Sequence, residues 1–116
     1  MPQRPTCQVK KIMHTFTVLY YRVDDESALE EFFSAVHLPL LEALPGLRAV
    51  GVGRVVGQPL GQSRFTLTVE ATFDDRAALE AALATETGII LMNALRPWAE
   101  NRLVAWYYAD AFREER

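Results

Sequence analysis

Two imidazoles, one carboxylate set among threonines and a few strand-borne aromatics are the side chains here with chemistry to offer. His37 stands in His37-Leu38-Pro39-Leu40-Leu41-Glu42-Ala43-Leu44-Pro45-Gly46, four residues after Phe33 and four before Leu41. On a helix, that spacing puts it on the flank of the apolar stripe rather than on the solvent side. A neutral imidazole facing a pocket can serve as general base or acid near pH 7 without a cofactor. The structural alternative is a ring nitrogen bonded to a backbone carbonyl left free by Pro39, which has no N–H. His14 opens a strand and reads as a solvated strand end. Glu70 alternates with Thr66, Thr68 and Thr72, so it either lines a ligand cavity or sits solvated at a strand edge. It is the nearest candidate partner for His37, from an opposite wall. Tyr20, Trp106 and Tyr108 have rings suited to an aromatic ligand, and equally to a core or a subunit interface. Trp98, after Pro97, either caps a pocket mouth or seals the core.

Other chemistries lack their residues. Two histidines on separate elements, with no thiolate or carboxylate at ligand spacing, make no recognisable metal site. Gly51-Val52-Gly53 is followed by Arg54-Val55-Val56, with no third glycine opening a helix, so a dinucleotide fingerprint is absent. No cofactor is expected. The net charge of -3 comes from interleaved charges without a basic stripe, which argues against nucleic acid and against an anionic membrane surface. The single cysteine, Cys7, has no intrachain partner and reads as an incidental thiol. With no apolar run of about eighteen residues and no charged-then-apolar leader, a cytoplasmic location is expected.

Positioning these residues falls to a single domain. The 116 residues, half of them apolar, suffice for one hydrophobic core. Residues 1–11 read as a flexible arm, 12–110 as the domain and 111–116 as a charged, frayed tail. The alternation over 14–21 predicts a strand with Phe16 and Val18 on one face and Thr15, Thr17 and Leu19 on the other. Asp24-Asp25 then caps a helix whose apolar positions are Leu29, Phe32, Phe33, Val36, Leu40 and Leu44. Pro39 sets its ring against the carbonyl of Ala35, which is costly unless the helix bends or frays there, but Leu40 and Leu44 continue the stripe, so the helix is expected to survive it. Pro45-Gly46 stops it.

A strand over 47–56 follows, bare on the side of Gly51 and Gly53 so that something else can approach closely. The strand over 64–73 has Phe65, Leu67, Val69, Ala71 and Phe73 facing one way. Asp74-Asp75 caps a second helix with Ala78, Leu79, Ala82 and Leu83 inward. The spacing predicts a break over 85–88 and a short helix over 89–95 that stops before Pro97, then a last strand over 102–109. The order strand, helix, strand, strand, helix, strand is the α+β, ferredoxin-like βαββαβ arrangement, a four-stranded antiparallel sheet with both helices on one face.

Two helices leave the other face of the sheet uncovered, and it should then be polar. Instead the last strand is apolar on both sides, with Leu103, Ala105 and Tyr107 opposite Val104, Trp106 and Tyr108. A patch of that size is unusual on a monomer, and stacking two sheets face to face in a two-fold homodimer removes it.

With these elements in place, the chain resembles the EthD family of the dimeric α+β barrel superfamily. The resemblance is carried by Val18-Leu19-Tyr20, His37-Leu38-Pro39-Leu40, Pro45-Gly46-Leu47, Ala71-Thr72-Phe73-Asp74, the helix from Ala78 to Leu83, and Glu86-Thr87-Gly88 before Met92. Asn93-Ala94-Leu95-Arg96-Pro97-Trp98 departs from the Asp-x-Pro-x-Phe flavour of the family. The resemblance implies a homodimer with pockets between helices and sheet, and a small hydrophobic organic ligand in the breakdown of ethers or aromatic compounds. The alternative is a cofactor-independent isomerase, lyase, cyclase or monooxygenase with His37 as general base.

Overall fold

A computed structural model of the chain describes residues 11–113. The expected arm and tail, and Cys7 with them, lie outside the described residues, except Lys11, Ala111, Phe112 and Arg113, which are strand. The elements are β1 (Lys11–Tyr21), α1 (Glu26–Phe32), a π-helical turn (Phe33–His37), α2 (Leu38–Glu42), β2 (Ala49–Arg54), β3 (Phe65–Phe73), α3 (Arg76–Leu83), α4 (Glu86–Glu100) and β4 (Val104–Arg113). The four strands form one antiparallel sheet in the order β2-β3-β1-β4, as in the expected ferredoxin-like arrangement.

Register fixes which residues share a face. Phe16 pairs with Ala71 and Tyr108, Val18 with Val69 and Trp106, and Tyr20 with Leu67 and Val104. All of these but Tyr108, which is exposed, and Trp106, which packs at the edge, meet Leu29, Phe33, Leu41 and Leu44 and, from α3 and α4, Leu79, Ala82, Leu91 and Leu95 in one buried core. The opposite face carries Thr15, Thr17, Leu19, Thr68, Glu70, Gly51, Gly53 and Tyr107. No helix among the described residues lies over it, since the helices all pack on the core side.

The caps are as the sequence suggests. Asp25 accepts from the Ala28 N–H and Asp75 from that of Ala78, each meeting one of the donors left free at a helix start. Across α1 and β2, the Arg54 guanidinium grips the Glu30 carboxylate and holds it below the usual carboxylate range.

Three expectations are corrected or sharpened. First, the break over 85–88 is a boundary between two full helices. Thr85 caps α4 by accepting from the Gly88 N–H at 3.1 Å. α4 then runs fifteen residues, straight through Pro97. Pro97 falls in the last turn, and its missing N–H withdraws the usual helical donor from the Asn93 carbonyl one turn earlier.

Second, the helix survives Pro39 by a widened turn ahead of it, with no fraying at the proline. The Leu38 N–H reaches back five residues to the Phe33 carbonyl, widening one turn. The backbone stays helical through His37 and Leu38, so Pro39 sits in a continuous helix directly after the widened turn, where the regular ladder is already interrupted.

Third, that inserted residue changes the phase of the stripe. Phe33, His37, Leu41 and Leu44 are buried, while Val36 and Leu40 are only half-buried. His37 is therefore on the stripe, not beside it.

Candidate functional site

The π-helical turn drives His37 against β1, where Tyr20 is the residue whose side chain reaches it. The Tyr20 hydroxyl and His37 Nδ1 are 2.6 Å apart, and both residues are wholly buried. Around them, Phe33 stands edge-on to both rings, and Trp98 of α4 stands edge-on to Tyr20 at 5.7 Å between centroids. Trp98 also lies against Phe32 at 4.7 Å. The other imidazole nitrogen, Nε2, is buried and has no hydrogen-bond partner.

The tautomer follows from counting donors and acceptors. If Tyr20 O–H donates to Nδ1, the hydrogen sits on Nε2 and one donor is left unmatched. If Nδ1–H donates to the phenol oxygen, both the phenol hydrogen and the Nε2 lone pair lack partners. The first arrangement leaves fewer unsatisfied groups and is favoured. Burial pulls the His37 pKa down to about 4, so the ring is neutral at physiological pH. Burial likewise pushes the Tyr20 phenol up, so it stays protonated. The site is thus a neutral, oriented pair presenting one N–H into apolar surroundings.

The other sequence-predicted site residues are not brought to this place. Glu70 is on the opposite face of the sheet, in an open concavity of about 440 Å³ with Thr17, Gly51, Gly53, Thr68 and Tyr107. It cannot partner His37, because β1 and β3 stand between them. Trp106 and Tyr108 line a second concavity, of about 360 Å³, with Phe16 and Met92 between α4 and β4. That cleft is on the same side of the sheet as the Tyr20–His37 pair. It lies four residues back along β1, roughly 13 Å at the usual strand rise.

Two further expectations are corrected. The His37 ring is held by a phenol, not by a carbonyl freed at Pro39. His14 is not a solvated strand end: it is buried, and Nδ1 meets Asp110 Oδ1 across the β1–β4 pair at 2.8 Å. The partner that sequence reasoning missed was Tyr20 as a partner, although Tyr20 itself was named. Its signal was parity, since Tyr20 shares the core face with Phe16 and Val18 and must meet the helix that carries His37. Among the described residues, no group of three or more His, Cys, Asp or Glu side chains is placed to hold a metal ion. Nor is any single helix there long and apolar enough to cross a membrane.

No family sequence model matches the chain, and no curated protein does. Solved structures do. An ethyl tert-butyl ether D (EthD) family protein from Bacillus halodurans C-125 is 31% identical, with 85% of this chain and 98% of that one covered and a TM-score of 0.78. The chain belongs to the EthD family.

More distant structures share the fold. A dimeric ferredoxin-like protein from Thermobifida fusca YX is 16% identical over 85% of this EthD-family chain and 92% of its own, at a TM-score of 0.58. SnoaB, a cofactor-independent oxygenase from Streptomyces nogalater, is 14% identical over 91% and 96%, also at 0.58. At such identities the likeness extends to architecture alone.

Proposed function

We propose that this EthD-family protein binds a small hydrophobic organic compound between its helices and its sheet. In this reading the compound carries an oxygen acceptor, such as an ether or a ketone, that takes the N–H of His37. One observation carries the reading: a wholly buried imidazole, fixed by Tyr20 at Nδ1, keeps Nε2 without a partner. Leaving a buried polar group unsatisfied costs about 1–3 kcal/mol, and a π-helical turn of the kind often found at functional sites puts it there. A ligand oxygen would relieve that deficit.

In this reading the ligand enters by the cleft of Phe16, Met92, Trp106 and Tyr108, with α4 as the element common to both ends: Met92 lines the cleft and Trp98 covers Tyr20. The protein works as a homodimer stacked through the open face of the sheet, and its role is in the breakdown of organic compounds. Support for the dimer is the uncovered face bearing Leu19 and Tyr107, together with the dimeric ferredoxin-like neighbour.

A second reading makes the pair catalytic. Moving the hydrogen from Nε2 to Nδ1, with Nδ1–H then donating to the phenol oxygen, turns Nε2 into a base; a neutral imidazole can serve in either form. Its support is that a cofactor-independent oxygenase has the same fold.

A thermal-shift screen of small ethers and ketones on wild type, His37→Leu and Tyr20→Phe tests both. The binding reading expects a compound that raises the melting temperature of wild type and has little effect on His37→Leu. Equal shifts in both would overturn it. Turnover by wild type that is lost in His37→Leu would favour the catalytic reading.

A further inference from the structure

One transverse row across the open face of the sheet brings a carboxylate and two hydroxyls together. Thr17 faces Glu70 on β3 and Tyr107 on β4, and Glu70 in turn faces Gly51 on β2. All four line the concavity of about 440 Å³, with Thr68 next to them. A Cβ at Gly51 would meet nothing within 4 Å, so the row ends in open space. Thr17 is buried, and its Oγ1 has no hydrogen-bond partner. Thr68 Oγ1 reaches only the Gly53 carbonyl, at 3.5 Å. Among the carboxylates on or next to the sheet, Asp110 is paired with His14 and Asp74 with Arg48. Glu70 has no ion-pair partner among the described residues.

We propose that this row binds a small primary ammonium compound. An ammonium head offers three N–H donors, and the row offers three acceptors: the Glu70 carboxylate, the Thr17 hydroxyl and the Thr68 hydroxyl. The Tyr107 ring adds a face for the cation. Among the described residues no cationic side chain lines the concavity, so a carboxylate or phosphate ligand would meet uncompensated negative charge at Glu70. The volume is of small-molecule size and many times the roughly 30 Å³ share of one water, which fits an organic amine better than a bare ion.

In the homodimer proposed above, the partner sheet closes over the row. Glu70 then leaves water, and a counter-charge offsets the desolvation of its carboxylate. That closure rests on the dimer reading; the ammonium site itself rests on a single chain's row.

Calorimetric titration of the full chain with n-butylammonium chloride tests the proposal, with n-butanol and sodium butyrate as contrasts. Butylammonium is expected to bind wild type, and the two contrasts are not. Glu70→Gln should weaken binding about tenfold or more, since it removes a charge-assisted hydrogen bond. Thr17→Val, which is isosteric and removes an unpartnered hydroxyl, should weaken it severalfold without lowering the melting temperature. Gly51→Val should fill the recess and abolish binding while the chain remains folded.

Absence of butylammonium binding to folded wild type would overturn the site. So would equal binding by Glu70→Gln, or butanol binding as well as the amine. Light scattering on the same samples separates the two readings: a monomer refutes the dimer, and the calorimetry alone decides the ammonium site.

Discussion

His37 is an imidazole that the fold has taken wholly out of water and only half satisfied. Its depressed pKa has a direct consequence for stability. Above pH 6.5 the ring is neutral in both folded and unfolded chains and contributes no pH dependence. As pH falls from 6.5 towards the folded value of about 4, the unfolded chain takes up a proton that the folded chain refuses, and stability is lost. Over that window the loss amounts to about 3 kcal/mol. Denaturant titrations at pH 7 and pH 4.5 are expected to show a steeper acid loss for wild type than for His37→Leu.

The pairing with Tyr20 gives a second test at this scale. Tyr20→Phe strips the remaining partner from His37 and should destabilise by about 1–3 kcal/mol. Replacing both, as Tyr20→Phe with His37→Leu, should recover most of that loss, because no polar group is then left buried without a partner. A double-mutant cycle by urea denaturation measures the coupling.

At the scale of elements, the inserted residue at Phe33–His37 decides where His37 points. An α-helix carrying Leu29, Phe32, Phe33, Val36, Leu40 and Leu44 inward would leave His37 at the margin. With the turn widened, His37 and Leu41 take the buried places. A π-helical turn has no pattern of its own in sequence, so only Pro39 hinted at it.

The meeting of α3 and α4 is as specific. Their axes differ by 82°, and Gly88 lies where a Cβ would come within 2.4 Å of the Ala82 carbonyl oxygen and 2.5 Å of Leu83 Cα. Since these are backbone atoms, nothing flexible can give way. Gly88→Ala should destabilise by about 1–3 kcal/mol, as overpacking does, and chemical denaturation checks it. Sequence reasoning placed Thr85 and Gly88 at a break. It could not tell that the break was a cap and a tight crossing, because both depend on how the two helices approach.

At the scale of the whole molecule, strand alternation and helix spacing were enough to read the four strands, the topology and the uncovered face. Those depend on periodicity, which survives without knowledge of contacts. Which candidates would meet was not readable in the same way. Glu70 and His37 lie on opposite sides of one sheet, and parity turns Tyr20 to the helices without saying which helical side chain its hydroxyl meets. The uncovered face carries the homodimer expectation. Light scattering should give twice the mass of the chain, and Leu19→Asp, which puts a charge on that face, should shift the protein towards monomer. A monomeric wild type at micromolar concentration would remove the stacked-sheet account.

The central claim is that His37 is a neutral ring, held at Nδ1 and offering Nε2–H. Long-range proton–nitrogen NMR on chain labelled with ¹⁵N-histidine measures this directly, with the His14 signals identified by their change in His14→Gln. The expected result is the hydrogen of His37 on Nε2, an unprotonated Nδ1 accepting from Tyr20, and no titration between pH 5 and 8. A His37 ring that titrates near the ordinary value of about 6.5, or that carries its hydrogen on Nδ1, would contradict it.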